Sequence, residues 1–246
     1  MKRVNNKSGQ VTAFVIIAIM LVAFILLYFL FRKTEIQVEK VDPSILPVYN
    51  YVDNCVKQTG QEAVSYIGQT GGYFVKPNLS TENNIAYYFD RGNNYMPTKE
   101  IIEKELSLYM NNMLFFCVKG FNDFSDFNIS QKEINTKAKI NDGVVSFDVT
   151  YPISATKSGK TYAIQKFSTD VPVRLNVIYT VLEKIMQEQM ANKNDICITC
   201  LDDFATENDL YIEMYNYNEG TVIFTIRDDN SKLNKESYRF NFANRY

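Results

Sequence analysis

The feature that most constrains this chain is an apolar run near its start. From Val11 to Phe31 there is no charged side chain and no proline, and the flanking charges are Lys7 on one side and Arg32 on the other. Such a run of roughly 21 residues, at about 1.5 Å rise per residue, spans about 31 Å as a helix, close to one hydrocarbon core. It has no polar face, which excludes an amphipathic surface helix. The run is therefore expected to be a single transmembrane helix over 10–31, in contact with membrane lipid. Residues 1–9 form a basic cytoplasmic leader and 32–47 a juxtamembrane linker carrying Pro43 and Pro47. An exterior domain follows over 48–246, with a split near 120–130 as an option for two subdomains.

Orientation follows from flanking charge. Lys2, Arg3 and Lys7 precede the run without an acidic residue, whereas Arg32 and Lys33 are followed by Glu35 and Glu39. The bias favours a cytoplasmic N-terminus and an extracellular C-terminal domain at the cell membrane. No small-x-small cleavage site follows the run, because Phe29-Leu30-Phe31-Arg32-Lys33 is bulky and charged, so the helix is read as an uncleaved anchor. Ala13, Ala18 and Ala23 are small enough to permit lateral contact with envelope proteins or further copies of the chain.

Composition narrows the chemistry. Histidine is absent, which removes Ser-His-Asp and Cys-His catalysis and imidazole metal ligands. A net charge of −2, with no basic run outside the membrane flanks, argues against a nucleic-acid partner. No glycine-rich phosphate loop occurs, no cofactor is implied, and no catalytic constellation is visible.

Downstream, hydrophobic periodicity predicts the elements. Val48, Val52, Cys55, Val56, Ala63 and Ile67 recur at helical spacing, and Gly71-Gly72 ends that helix. Tyr73–Val75 and Ile85–Phe89 read as short strands joined by a polar turn. A second helix starts at the N-cap Thr98 and stops at Gly120, with Ile102, Leu106, Tyr109, Met113 and Phe116 as its core stripe. Ile134 to Ile140 and Val145 to Tyr151 alternate around Asn141-Asp142-Gly143, the strongest hairpin signal in the chain. A further strand runs from Tyr162 towards Val173. A helix carries Leu175, Ile178, Leu182 and Ile185, and a short one follows the Cys-x-x-Cys segment. Strands are expected over Leu210–Tyr217, Thr221–Arg227 and Tyr238–Phe242, with Asp228 to Ser237 as a polar loop. Strands bunched after helices, rather than alternating with them, indicate α+β with antiparallel sheet and about three to four helices.

Four cysteines carry the candidate chemistry: Cys55, Cys117, Cys197 and Cys200. In an exterior domain an even count points to disulfides. Cys55 with Cys117 would tie the first two helices and Cys197 with Cys200 would close a small ring, while both crossed pairings stay open. Two alternatives use the same residues: a zinc site of four thiolates, and thiol-disulfide exchange at Cys197 and Cys200, which Asp195, Asp202 and Asp203 oppose electrostatically. The acidic pairs Asp202-Asp203 and Asp228-Asp229 lack the spaced ligands of a calcium loop and read as solvated loop charge. Asn78-Leu79-Ser80 and Asn128-Ile129-Ser130 match the glycosylation acceptor pattern in expected loops; Asn6-Lys7-Ser8 also matches, on the cytoplasmic side.

Two resemblances accompany these readings. Lys7-Ser8-Gly9-Gln10-Val11-Thr12 resembles the class III leader of archaeal type IV pilins over about the first 30 residues. The resemblance implies a peptidase cut between Gly9 and Gln10, retention of the helix, and helices bundled in a filament core; Phe14 stands where pilins usually carry Glu. As a whole the chain is similar to a group of single-pass membrane proteins from small-genome archaea. That similarity is carried by Gly9-Gln10-Val11-Thr12, Gly71-Gly72-Tyr73, Val171-Pro172-Val173-Arg174-Leu175 and Cys197-Ile198-Thr199-Cys200-Leu201. It implies a location and no activity. The combined expectation is a non-catalytic, membrane-anchored cell-surface protein, structural or adhesive, with a pilin-like subunit as one form. The alternative is a membrane-tethered thiol-disulfide or metal-binding protein.

Overall fold

The computed structural model describes residues 17–22 and 42–246. Residues 17–22 are helical with exposed side chains such as Ile17, Ile19 and Leu21. Among the described residues no helix is long and apolar enough to cross a membrane. The rest of the expected span over 10–31, the leader with Gly9, Gln10 and Asn6, and most of the linker lie outside the described residues.

Val41–Tyr246 forms one compact unit of mixed α/β structure. Helix α1 (Leu46–Thr70) is followed by the short strands β1 (Tyr87–Asp90) and β2 (Asn93–Asn94). Next come α2 (Lys99–Val118) and a 3-10 turn (Lys119–Phe121). Strands β3 (Asn128–Gln131), β4 (Asn135–Asn141), β5 (Val144–Lys157) and β6 (Lys160–Val171) then make one sheet. Helices α3 (Leu175–Ala191) and α4 (Ile198–Glu207) precede β7 (Tyr211–Asn218), β8 (Thr221–Leu233) and β9 (Glu236–Arg245). The segment near 120–130 lies inside this unit, between α2 and β3.

The five-stranded sheet has the order β2-β1-β9-β8-β7, antiparallel except where β1 runs parallel to β9. In the other sheet the long β5 carries β6 on one side and, on the other, β4 and β3 end to end. Pro152 cannot donate to a ladder, and the β5–β6 register shifts between Thr150 and Ile153 around it. Its carbonyl still accepts the N–H of Lys132 at 2.9 Å, which bridges β3 and β4. Strict alternation in β4 and β5 buries one face: Ala138, Ile140, Phe147, Val149 and Tyr151 point inward.

Helix α1 packs against α2, β6 and β9, so it touches both sheets. Two glycines that weaken its intrinsic propensity explain themselves here. A Cβ on Gly60 would lie 3.0 Å from the Thr169 methyl, and one on Gly68 would lie 2.4 Å from the Arg239 carbonyl oxygen. Close approach of helix to sheet outweighs the cost of about 1 kcal/mol that a helical glycine carries relative to alanine. Gly71 ends α1 in the left-handed region (φ 73°), and the N–H of Gly72 returns to the Ile67 carbonyl at 2.9 Å. On β8 and β9, Phe224 stacks on Phe242 with ring centroids 4.8 Å apart, and Tyr88 covers the same ring at 5.0 Å.

Three expectations need correction. Tyr73–Val75 forms no strand: the N–H groups of Phe74 and Val75 donate to Glu105 Oε2 at 2.9 and 3.0 Å, a side-chain acceptor replacing a partner strand. The buried stripe of α2 passes through Ile102, Leu106 and Tyr109 as expected, then swings to Met110, Leu114 and Val118. Met113 is half-buried and packs against the core while also lining a groove beside α1, whereas Phe116 is 66% exposed on that groove. Asp228 to Ser237 is no loop. β8 and β9 pair through Leu233 and Glu236, and Asn234 and Lys235 (φ 51° and 73°) make a two-residue turn without glycine.

Candidate functional site

Cys55 and Cys117 form one disulfide and Cys197 and Cys200 the other; the cysteines pair as expected and the crossed pairings are excluded. The four sulfurs are committed to two separate bonds, so no four-thiolate zinc site is assembled. Among the described residues no group of three or more histidine, cysteine, aspartate or glutamate side chains could hold a metal.

The two bonds do different work. Cys55 sits on the buried face of α1 and Cys117 in the last turn of the antiparallel α2, with Cα atoms 5.6 Å apart. Their sequence separation of 62 closes a long loop. In the chain-entropy account such a loop contributes about 4 kcal/mol, against about 1.5 kcal/mol for a ring of three residues. The Tyr51 hydroxyl adds to the junction by donating to the Cys117 carbonyl at 3.2 Å. A groove of about 530 Å³ runs beside this bond, lined by Tyr51, Gln58, Glu62, Met113 and Phe116.

Cys197–Cys200 closes the start of α4. Cys197 is the N-cap residue, and its sulfur accepts the Cys200 N–H at 3.3 Å. Gln189 at the end of α3 fixes the approach: its Nε2 donates to the carbonyls of Asn192 at 3.0 Å and Asp195 at 3.3 Å. Its Oε1 accepts from Asn244 Nδ2 at 3.3 Å and from the Tyr246 hydroxyl at 2.6 Å. Ile196, Leu201, Phe204 and Phe224 line a small cavity together with the two cysteines. Asp195, Asp202 and Asp203 are exposed; Asp202 and Asp203 are solvated as expected but lie on α4 rather than in a loop.

The far end of α4 is held by an ion pair the sequence reading did not foresee. Asp228 was expected as solvated loop charge; its side chain is fully buried. Arg174 forks onto it, Nε to Oδ2 at 3.1 Å and Nη2 to Oδ1 at 2.6 Å. The Ser231 hydroxyl and the Asn230 N–H also donate to the carboxylate, at 2.5 and 3.0 Å. The remaining guanidinium donors reach the carbonyls of Asn208 and Asp209, each at 3.2 Å. Burial pushes the Asp228 carboxyl up, but the donors from Arg174, Ser231 and Asn230 pull it down further, leaving it below the ordinary value of 3.8. The sequence signal was present but incomplete: an arginine between Val173 and Leu175, with no partner identifiable before β8 is known to continue.

Asn78 lies exposed on a bend, as expected of a glycosylation acceptor; Asn128 is also exposed but opens strand β3 rather than lying in a loop.

Fold and site together define a two-disulfide domain of mixed α/β structure, stapled helix to helix at one place and ringed at a helix start in another. No protein family matches this chain, and no curated protein or solved structure matches it either.

Proposed function

We propose that this chain is a membrane-anchored cell-surface protein whose exterior domain has a structural or adhesive role. The observation that carries the reading is the pairing of all four cysteines, with no free thiol, in a compact unit that follows the charge-free run. Disulfides persist in oxidising compartments, which favours an exterior position for Val41–Tyr246. The run from Val11 to Phe31 supplies lipid contact and orientation, and its small residues allow lateral packing on envelope proteins or on further copies. In the pilin-like form of this reading the leader is cut between Gly9 and Gln10 and the helix is retained. Extraction of native membranes at alkaline pH, followed by the N-terminal mass of the protein, tests both parts. Retention in the membrane pellet is expected; release into the wash would contradict the anchor, and a chain starting at Met1 would remove the pilin-like form.

A second reading, thiol-disulfide exchange, is favoured by the placement of Cys197 as N-cap of α4 with its sulfur already accepting the Cys200 N–H. The helix start would stabilise a Cys197 thiolate after reduction. A partner dithiol would be oxidised to its disulfide as Cys197–Cys200 is reduced to two thiols. Native thiol titration after exposure to glutathione separates the readings, because a structural bond stays closed under that poise.

A further inference from the structure

The two acceptor triplets of the compact unit have different surroundings. Asn128-Ile129-Ser130 is drawn out in β3 and paired residue for residue with Thr156, Ala155 and Ser154 of β5. A triplet held in a ladder gives up main-chain hydrogen bonds before a transferase can bend it. Asn78-Leu79-Ser80 is already bent, with Ser80 Oγ donating back to the Pro77 carbonyl at 3.1 Å. The loop that carries it is fixed at both ends. Phe74 and Val75 donate to Glu105 on one side. On the other, the Leu79 carbonyl accepts the Tyr87 N–H at 3.1 Å and Ser80 bridges to Ala86.

Asn78 also lines a cleft of about 180 Å³, together with Tyr73, Tyr87, Tyr95, Pro77 and Leu79. The cleft is smaller than the roughly 300 Å³ at which ordinary ligand sites begin, a size that suits one sugar ring. None of its lining side chains is charged. A cationic occupant is disfavoured, because the Arg245 guanidinium already lies 4.8 Å from the centroid of the Tyr87 ring. Tyrosines fit a neutral sugar: ring C–H groups pack on aromatic faces, and sugar hydroxyls bond to phenol oxygens. Tyr95 is 43% exposed, so a sugar ring has surface to cover there.

We infer, resting on the exterior position proposed for Val41–Tyr246, that Asn78 and not Asn128 carries a glycan, and that the three-tyrosine cleft seats its first sugar. In the transfer, Asn78 Nδ2 attacks C1 of the reducing-end sugar of a lipid-linked oligosaccharide phosphate. The N–C1 bond forms as the C1–O bond to phosphate breaks. The lipid phosphate leaves with that electron pair, and Nδ2 gives up one proton to a base of the transferase. Because the same asparagine lines the cleft, docking of the attached sugar is intramolecular, and a high effective concentration holds a weakly bound ring in place.

Glycopeptide mapping of the full chain from its native membrane fraction tests this, with free thiols alkylated before digestion and with Asn78→Gln and Asn128→Gln expressed in the same cells. Glycan mass is expected on the peptide holding Asn78, lost in Asn78→Gln and kept in Asn128→Gln. Tyrosine nitration of the folded protein reads the cleft. Tyr95 is expected to react about fivefold more slowly in the glycosylated chain than in Asn78→Gln. Tyr211, 51% exposed on β7, should react equally in both and reports that the variant is folded. A glycan on Asn128, or equal nitration of Tyr95 with and without the glycan, would overturn the proposal. A bare Asn78 with both disulfides closed overturns it and leaves the exterior position standing, whereas a bare Asn78 with four free thiols removes both.

Discussion

Glu103 on α2 accepts the main-chain N–H of Ile140 on β4 at 3.0 Å, and four residues on, Ser107 accepts that of Ala138 at 2.9 Å. A helix thereby supplies a sheet edge with the acceptors a further strand would have offered. Glu103 also holds the Lys139 ammonium at 2.7 Å. Because Ile140 is buried, Glu103→Ala leaves a donor without a partner and is expected to cost about 1–3 kcal/mol in urea unfolding. Lys139 is half in solvent, and Lys139→Ala is expected to cost less than about 1 kcal/mol.

The Arg174–Asp228 pair joins the start of α3, the end of α4 and β8 in one network. Asp228→Asn leaves Arg174 without its counter-charge and is expected to destabilise by about 3 kcal/mol. The pH dependence has a definite sign. The folded-state pKa of Asp228 is depressed, so its contribution is present above the unfolded value near 3.8 and is lost as pH falls through the depressed value. The stability difference between wild type and Asp228→Asn should therefore narrow below about pH 4, read by thermal melts across pH 2–7.

At the hairpin tip between β8 and β9, Lys235 holds φ 73° without being glycine. Lys235→Gly relieves that conformation and is expected to stabilise the unit by about 1 kcal/mol in denaturant titration. Gly68 is the opposite case. Gly68→Ala forces a methyl towards the Arg239 carbonyl and should destabilise by about 1–3 kcal/mol, in spite of alanine's better helix propensity.

The disulfides separate by loop length. Replacing Cys55 and Cys117 by alanine together should lower the unfolding free energy by about 3–4 kcal/mol, and replacing Cys197 and Cys200 by about 1–2 kcal/mol. Calorimetry of the two double variants reads the contrast directly.

Local patterns were the legible part of the fold. Thr98 caps α2, Asp142-Gly143 turns β4 into β5, and the 3-and-4 spacing of Leu175, Ile178, Leu182 and Ile185 places the buried face of α3. Each of these depends on neighbours within a turn or two. The cysteine pairing was legible because the two helix faces carried one cysteine each and the other two lay three apart. What the sequence concealed depends on partners far along the chain. Asp228 next to Asp229 looks like solvent charge until Arg174, 54 positions earlier, is seen against it. The turn at Asn234 and Lys235 was hidden because lysine supplies a conformation usually marked by glycine. Phe116 fits the α2 stripe by spacing, yet at the end of the helix it lies exposed on the groove beside the Cys55–Cys117 bond.

The proposed display of the oxidised domain outside the cell on a membrane anchor is tested by protease shaving of intact cells, with the released fragment weighed without reductant. The expected fragment begins within residues 32–45, runs to Tyr246 and has the mass of that segment with both disulfides closed. A fragment released only after lysis, or one whose mass shows four free thiols, would contradict it.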